Sequence, residues 1–85
     1  MIRLSVLGHI RTALGRSELE LGVEDMTVDR LLTMISSMPH SEDISIDHGS
    51  TLVVVNGVEI SALNGGKTVV KSGDEVALIP AVHGG

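Results

Sequence analysis

Two glycines, Gly84 and Gly85, close the sequence and carry its clearest chemical suggestion. At ordinary glycine usage, a chain ends Gly-Gly by chance about once in two hundred. An end without side chains can enter a narrow active site and present its carboxylate there. The stretch Ala81, Val82, His83, Gly84 and Gly85 follows directly on Pro80. Extended, it reaches roughly 16 Å at ~3.3 Å per residue. A plain unstructured tail is the competing reading of the same residues.

Other chemistry-bearing residues form no pattern. His9, His40, His48 and His83 share no metal-ligand spacing, and the chain has no cysteine to complete a zinc site. We read them as solvated surface histidines and expect no metal. Without cysteine one common nucleophile is gone, and no serine stands in a G-x-S-x-G elbow. Glu42, Asp43 and Asp47 read as a solvated acidic loop. Gly66-Lys67-Thr68 matches the end of a phosphate-binding loop, but the first glycine of that motif would fall on Ser61. Val69, Val70 and a Ser72-Gly73 turn follow, where such a motif must open a helix. We therefore expect no catalytic constellation and no bound cofactor.

Composition narrows the partners. The chain has 85 residues with Lys+Arg 6 against Asp+Glu 11, for a net charge of −5. An acidic chain repels phosphate backbones and anionic membranes, which disfavours nucleic acid and lipid. No Phe, Trp or Tyr is present, so bases have no aromatic platform to stack on. A basic face on a partner protein is the better match. Residues 1–7 carry one arginine with no long apolar run after them, so we expect no signal peptide. No apolar run is longer than Leu52–Val55, which is too short to span a bilayer. The expectation is a soluble cytoplasmic protein whose 42% hydrophobic content, all aliphatic, supplies the core.

The elements that must hold the tail follow from periodicity. Ile2, Leu4 and Val6 alternate with polar neighbours, as do Leu19, Leu21 and Val23, so both segments read as half-buried strands. Gly8 to Ser17 lacks a clean period and reads as a long hairpin loop. Val28, Leu31, Leu32, Ile35 and Met38 form the stripe of an amphipathic helix, with Thr27 as N-cap and Pro39 as the stop. Met26 and Leu31 occupy the positions of a hydrophobic staple. His40 to Ser50 reads as an exposed loop in which Ile44 and Ile46 could form a short extended piece. Thr51 to Val55 reads as a strand. Asn56-Gly57 is a strong hairpin signal, with Val58-Glu59-Ile60 returning. Asn64-Gly65-Gly66 and Ser72-Gly73-Asp74 read as further turns, and Glu75 to Pro80 as the last strand. One helix over such strands is an α+β layout with a mixed sheet.

Leu52 to Val55 and Val76 to Ile79 are apolar at both parities, whereas a single helix covers one sheet face. The remainder, assigned here to Val53, Val55, Ala77 and Ile79, would form an exposed patch for a partner. A small secondary core under the His40–Ser50 loop is the alternative.

Asp74-Glu75-Val76-Ala77-Leu78-Ile79-Pro80-Ala81-Val82-His83-Gly84-Gly85 resembles the carboxyl-terminal signature of the MoaD/ThiS-like sulfur carriers. The likeness extends upstream through Val55-Asn56-Gly57 and Ser72-Gly73-Asp74, and more weakly over the amino half. Ala81 stands where these proteins often have a second proline. The resemblance implies a ubiquitin-like β-grasp fold over 1–80, with a four- to five-stranded mixed sheet and first and last strands adjacent and parallel, and a flexible tail over 81–85. It implies that the chain is not an enzyme but the substrate of a ubiquitin-activating-type enzyme, which uses ATP to adenylate Gly85. Pro80, Ala81, Val82, His83 and Gly84 would then thread into that partner. The adenylate becomes a thiocarboxylate that donates sulfur through a synthase subunit, in molybdopterin or thiamine biosynthesis; the length suits the molybdopterin-type carriers better. Two alternatives stay open: a modifier joined through Gly85 to lysines of target proteins, and an interaction domain with an inert tail. Lys67 and Lys71, the sole lysines, would be the acceptors in any self-conjugation.

Overall fold

The alternation of Ile2, Leu4 and Val6 with Arg3 and Ser5 builds β1 (Ile2–Val6), whose apolar side chains turn inward. The computed structural model describes residues 1–38, 46 and 49–80. Glu18 and Glu20 alternate with Leu19 and Leu21 in β2 (Glu18–Leu21), antiparallel to β1 with Leu4 opposite Leu19. Between them lies a finding that periodicity missed. Gly8–Leu14 is a helix, α1, rather than a hairpin loop. It buries Ile10 and Ala13, with Leu14 packed partly against the core. Over seven residues such a stripe is too short to show as a period. Gly15 ends the helix in the left-handed region and donates its N–H to the Arg11 carbonyl.

A second small sheet also went unforeseen. β3 (Asp25–Thr27) pairs antiparallel with β6 (Val69–Lys71), with Met26 opposite Val70 and both buried. The longer helix, α2 (Val28–Ser36), begins where the stripe requires, and the Thr27 hydroxyl accepts the Arg30 N–H at 3.2 Å. Asp29 puts a negative charge in its first turn. The Ser37 and Met38 N–H groups tighten back onto carbonyls of the last turn, so the helix ends two residues short of Met38. Residues 39–45, including Ile44, and residues 47 and 48 lie outside the described residues; Ile46 joins the core.

β4 (Thr51–Val55) turns through Asn56-Gly57 into β5 (Val58–Glu59). The returning strand is shorter than its apolar pattern suggests, because Ile60–Ala62 winds into a 3-10 turn that buries Ile60. A second 3-10 turn, Gly65–Lys67, precedes β6. β7 (Glu75–Pro80) completes a five-stranded sheet of order β2-β1-β7-β4-β5. β1 and β7 are parallel neighbours, with Leu4 beside Val76, and β4 runs antiparallel to β7. This is the mixed α+β arrangement expected. Two helices rather than one stand against it. The inner face packs Leu4, Val53, Val55, Val76 and Leu78 with Leu31, Leu32 and Ile35 of α2 in one aliphatic core. Each such side chain contributes about 1.5–3 kcal/mol on full burial. Among the described residues no helix is long and apolar enough to cross a membrane.

Candidate functional site

The parallel pairing of β1 and β7 brings their carboxyl ends together, and this fixes where the tail leaves. Pro80 is the last residue of β7, opposite Thr51 of β4. On its other side the Leu7 N–H donates to the Leu78 carbonyl at 3.2 Å, so the chain stays extended one residue past β1 before α1 begins. Gly8 then turns with φ +58, and a side chain there would stand 2.9 Å from Pro80 Cγ. The base of the tail is thus gripped between the start of α1 and the start of β4. Pro80 has no N–H with which to extend the ladder. Of the expected tail residues, Pro80 is placed; Ala81, Val82, His83, Gly84 and Gly85 lie outside the described residues.

The expected partner patch needs correction. Val53 and Val55 point inward and are buried, because they pair with the inward-facing Leu78 and Val76. The outward parity of β4 is Leu52 and Val54, which stand opposite Ile79 and Ala77. Ala77 and Ile79 do face out, half-buried. Leu52 is 45% exposed and Leu7 43%. Leu7, just past β1, continues the outward parity of Arg3 and Ser5, so Leu7, Ile79 of β7 and Leu52 of β4 form an apolar row at the tail exit. Sequence alone could not choose between the parities of β4, both of which are apolar. Thr51, the strand's one polar residue, points the wrong way, because it is buried and its parity continues into the buried Val53 and Val55.

At the opposite end of β7, two turns lock together. The Asn56 side chain donates to the Asp74 carboxylate at 3.0 Å and accepts the Glu75 N–H at 2.9 Å. The Asp74 carboxylate also accepts the Lys71 N–H at 2.8 Å. This N–H, followed by the Asn56 amide, holds the Asp74 carboxyl below the ordinary carboxylate range. The Val55-Asn56-Gly57 and Ser72-Gly73-Asp74 segments, far apart in sequence, are one structural unit. Glu59 is likewise held low, by the Ser61 hydroxyl and then the Ser61 N–H.

The phosphate-loop lookalike is filled by the protein's own carboxylate. A side chain at Gly66 would collide with the Asp29 carboxylate at the start of α2. Gly65–Lys67 is a 3-10 turn that leads into a strand, with no helix to receive phosphates. The exposed Lys67 and Lys71 sit on this turn and on β6, away from the five-stranded sheet. Among the described residues no three His, Asp or Glu side chains gather as a metal site; His40, His48 and His83 lie outside that set.

Known proteins share this architecture from end to end. A protein of Archaeoglobus fulgidus named "Putative sulfur carrier protein" is 28% identical over 88 residues, spanning 96% of this chain and all of its own. The small archaeal modifier protein 1 of Methanosarcina acetivorans superposes with a TM-score of 0.74 at 27% identity, over 99% of this chain and 95% of that one. The BexX/CysO complex of Amycolatopsis orientalis contains a chain that superposes with a TM-score of 0.72, over the full length of both. At 24% identity that last likeness speaks to the fold alone. The family model described as the ThiS family matches residues 4–85, the strands, the helices and the Gly-Gly end together. With a β-grasp sheet that delivers its last strand to a gripped tail base, the chain belongs to the ThiS family of small sulfur carriers, proteins that are acted upon rather than catalysts.

Proposed function

We propose that the Gly85 α-carboxylate is the working group of this protein, activated by adenylation and converted to a thiocarboxylate that delivers sulfur. The observation that carries this reading is the family match running through residue 85, onto a tail whose base at Pro80 is fixed by β1, α1 and β4. A carboxylate has a poor leaving group, and ATP remedies that. A Gly85 carboxylate oxygen attacks the α-phosphorus, pyrophosphate departs, and a mixed anhydride with AMP remains. A sulfur nucleophile then adds to the carbonyl carbon and expels AMP. The cationic groups and metal ion that stabilise these steps belong to the activating enzyme. This chain contributes a carboxylate on a narrow tail and a rigid body to position it. A molybdopterin-type pathway is the destination that the chain length favours.

The second reading is a modifier, in which a lysine amine replaces sulfur as the nucleophile. The likeness to an archaeal modifier protein at 27% identity supports it. Both readings share the first step, so ATP–pyrophosphate exchange with the adenylating enzyme of the same cell tests them together. Deletion of Gly85 withdraws the carboxylate by about 3 Å, and losses of position on that scale remove orders of magnitude in rate. Gly84→Val crowds the entry. Exchange should collapse in both variants while unfolding curves stay put. Exchange by the deletion variant at the wild-type rate would leave the interaction domain with an inert tail as the standing account.

A further inference from the structure

The two margins of the five-stranded sheet are finished differently. β5, at one edge, is two residues long and gives way at once to a 3-10 turn, which blunts it. β2, at the other edge, runs four residues with neither proline nor glycine. Its pairing with β1 fixes which backbone groups look outward. The Val6 N–H donates to the Ser17 carbonyl at 2.9 Å, and the register then places Leu4 opposite Leu19 and Arg3 opposite Glu20. Bonded and non-bonded pairs alternate along an antiparallel ladder, so Ser17, Leu19 and Leu21 bond to β1. The N–H and C=O of Glu18 and of Glu20 face away from it, and among the described residues no strand lies beyond β2. Beside this edge, on the helix side of the sheet, Leu14, Arg16, Leu19 and Met38 line a cleft of about 320 Å³. On the other side the Glu18 and Glu20 side chains are exposed, and Arg3, across from Glu20, is already paired with Glu75 at 3.0 Å.

We propose that the β2 edge accepts an extended segment of a partner protein as an added strand, antiparallel to β2 and alternating apolar with basic residues. Such a segment draws the outward N–H and C=O groups of Glu18 and Glu20 into the ladder of the sheet. Its side chains then divide between the two faces with a period of two. Those on the helix side enter the cleft against Leu14, Leu19 and Met38, where Arg16 disfavours a cation. Those on the other side stand directly opposite Glu18 and Glu20, which favour lysine or arginine. Antiparallel addition is the stronger of the two senses. A second copy of the chain fits poorly. Two β2 edges paired antiparallel set glutamates against glutamates, and like charges directly opposite one another are destabilising. The acidic edge thus disfavours self-pairing and selects a cationic strand. β1 separates β2 from β7, so the tail base at Pro80 stays clear of the segment. A protein that carries the segment can hold this chain while Gly85 is used elsewhere, and the proposal does not depend on how Gly85 is activated.

The test is NMR titration of the intact, isotopically labelled chain with a capped synthetic peptide that alternates lysine and valine over about seven residues (~23 Å extended). Chemical shifts should move in β2 and around Leu14 and Met38. Exchange of the Glu18 and Glu20 amide protons should slow by about tenfold or more at saturation. Methylating the lysine amide nitrogens of the peptide removes the donors that face β2, and the dissociation constant should rise by about tenfold or more. Methylating the valine amide nitrogens, which face away, should leave it within about twofold. The double change Glu18→Lys with Glu20→Lys touches no buried residue. It should weaken binding by about tenfold or more at low salt, the loss shrinking as salt screens the charges. Thermal unfolding confirms that this variant is folded. Equal affinity for the peptide methylated on its lysines, or for the doubly changed chain, overturns the proposal, as do shifts that lie away from β2 and its cleft. Glu18 and Glu20 amides already protected in the free chain would show the edge covered by a second copy or by another part of the same one, and overturn it equally.

Discussion

Substituting Gly8 by alanine tests whether the grip on the tail base is real. Two costs are written into the position. With φ +58 the residue occupies the left-handed region, where an L side chain costs about 1–2 kcal/mol. The added Cβ also stands 2.9 Å from Pro80 Cγ, closer than carbon atoms tolerate. Pro80 is half-buried and its ring can shift, so this overlap adds about 1 kcal/mol, the low end of overpacking. The total is about 2–3 kcal/mol, or roughly 10–20 °C in melting temperature for a chain of this size. Gly15→Ala is the matched control. Its φ is +75, but nothing lies within 4 Å of the added carbon, so it carries the conformational cost alone. The Gly8 variant should be the less stable of the two by about 1 kcal/mol in urea titration, and Pro80→Ala should recover that increment in the Gly8→Ala background. Equal losses in the two glycine variants would show that Gly8 does not bear on Pro80, and the gripped tail base would go with it.

The other expected outcomes concern the core and the turns. Leu32→Ala should cost about 2–5 kcal/mol by opening a cavity between α2 and the sheet, and a change below ~0.5 kcal/mol in denaturant would refute that placement. Asn56→Ala removes two hydrogen bonds from a residue at φ +50 and should cost about 1–2 kcal/mol. The Asp74 carboxyl is depressed in the folded state, so its contribution is complete above its ordinary pKa of 3.8 and is lost as pH falls through the lower folded value. In Asn56→Ala the Asp74 pKa should rise toward ordinary, read by NMR titration of its carboxyl carbon; an unmoved pKa would break the turn-to-turn link. Gly66→Ala should destabilise by displacing Asp29, with a coupling of about 1 kcal/mol to Asp29→Ala in a double-mutant cycle. Additive effects would mean that the two do not meet.

Long periods were legible in the sequence and short ones were not. The stripe from Val28 to Ile35 and the alternation in β1 and β2 each repeat often enough to specify an element and its buried side. α1 repeats its apolar positions too few times, and β3 and β6 are three residues each, so their pairing is a tertiary fact rather than a local one. β4 failed differently. Val53 and Val54 are both β-branched and apolar, so composition leaves its parity undetermined, and the buried side follows from register with β7. That single ambiguity moved the β4 half of the expected partner patch from Leu52 and Val54 onto Val53 and Val55 in the core, while its β7 half, Ala77 and Ile79, does face out. The tail was read from two glycines and a resemblance. Its anchoring by Gly8 depends on a φ and a ring contact that no sequence pattern reports.

The central claim is that the Gly85 carboxylate carries sulfur. Intact-mass measurement of the protein isolated from its native cell tests it most directly, with fragmentation to locate any change. The account predicts a population in which one oxygen of the terminal carboxylate is replaced by sulfur, confined to Gly85 and abolished when the adenylating enzyme is removed. A terminus found unchanged in every molecule, or found solely in amide linkage to lysines of other proteins, would contradict it.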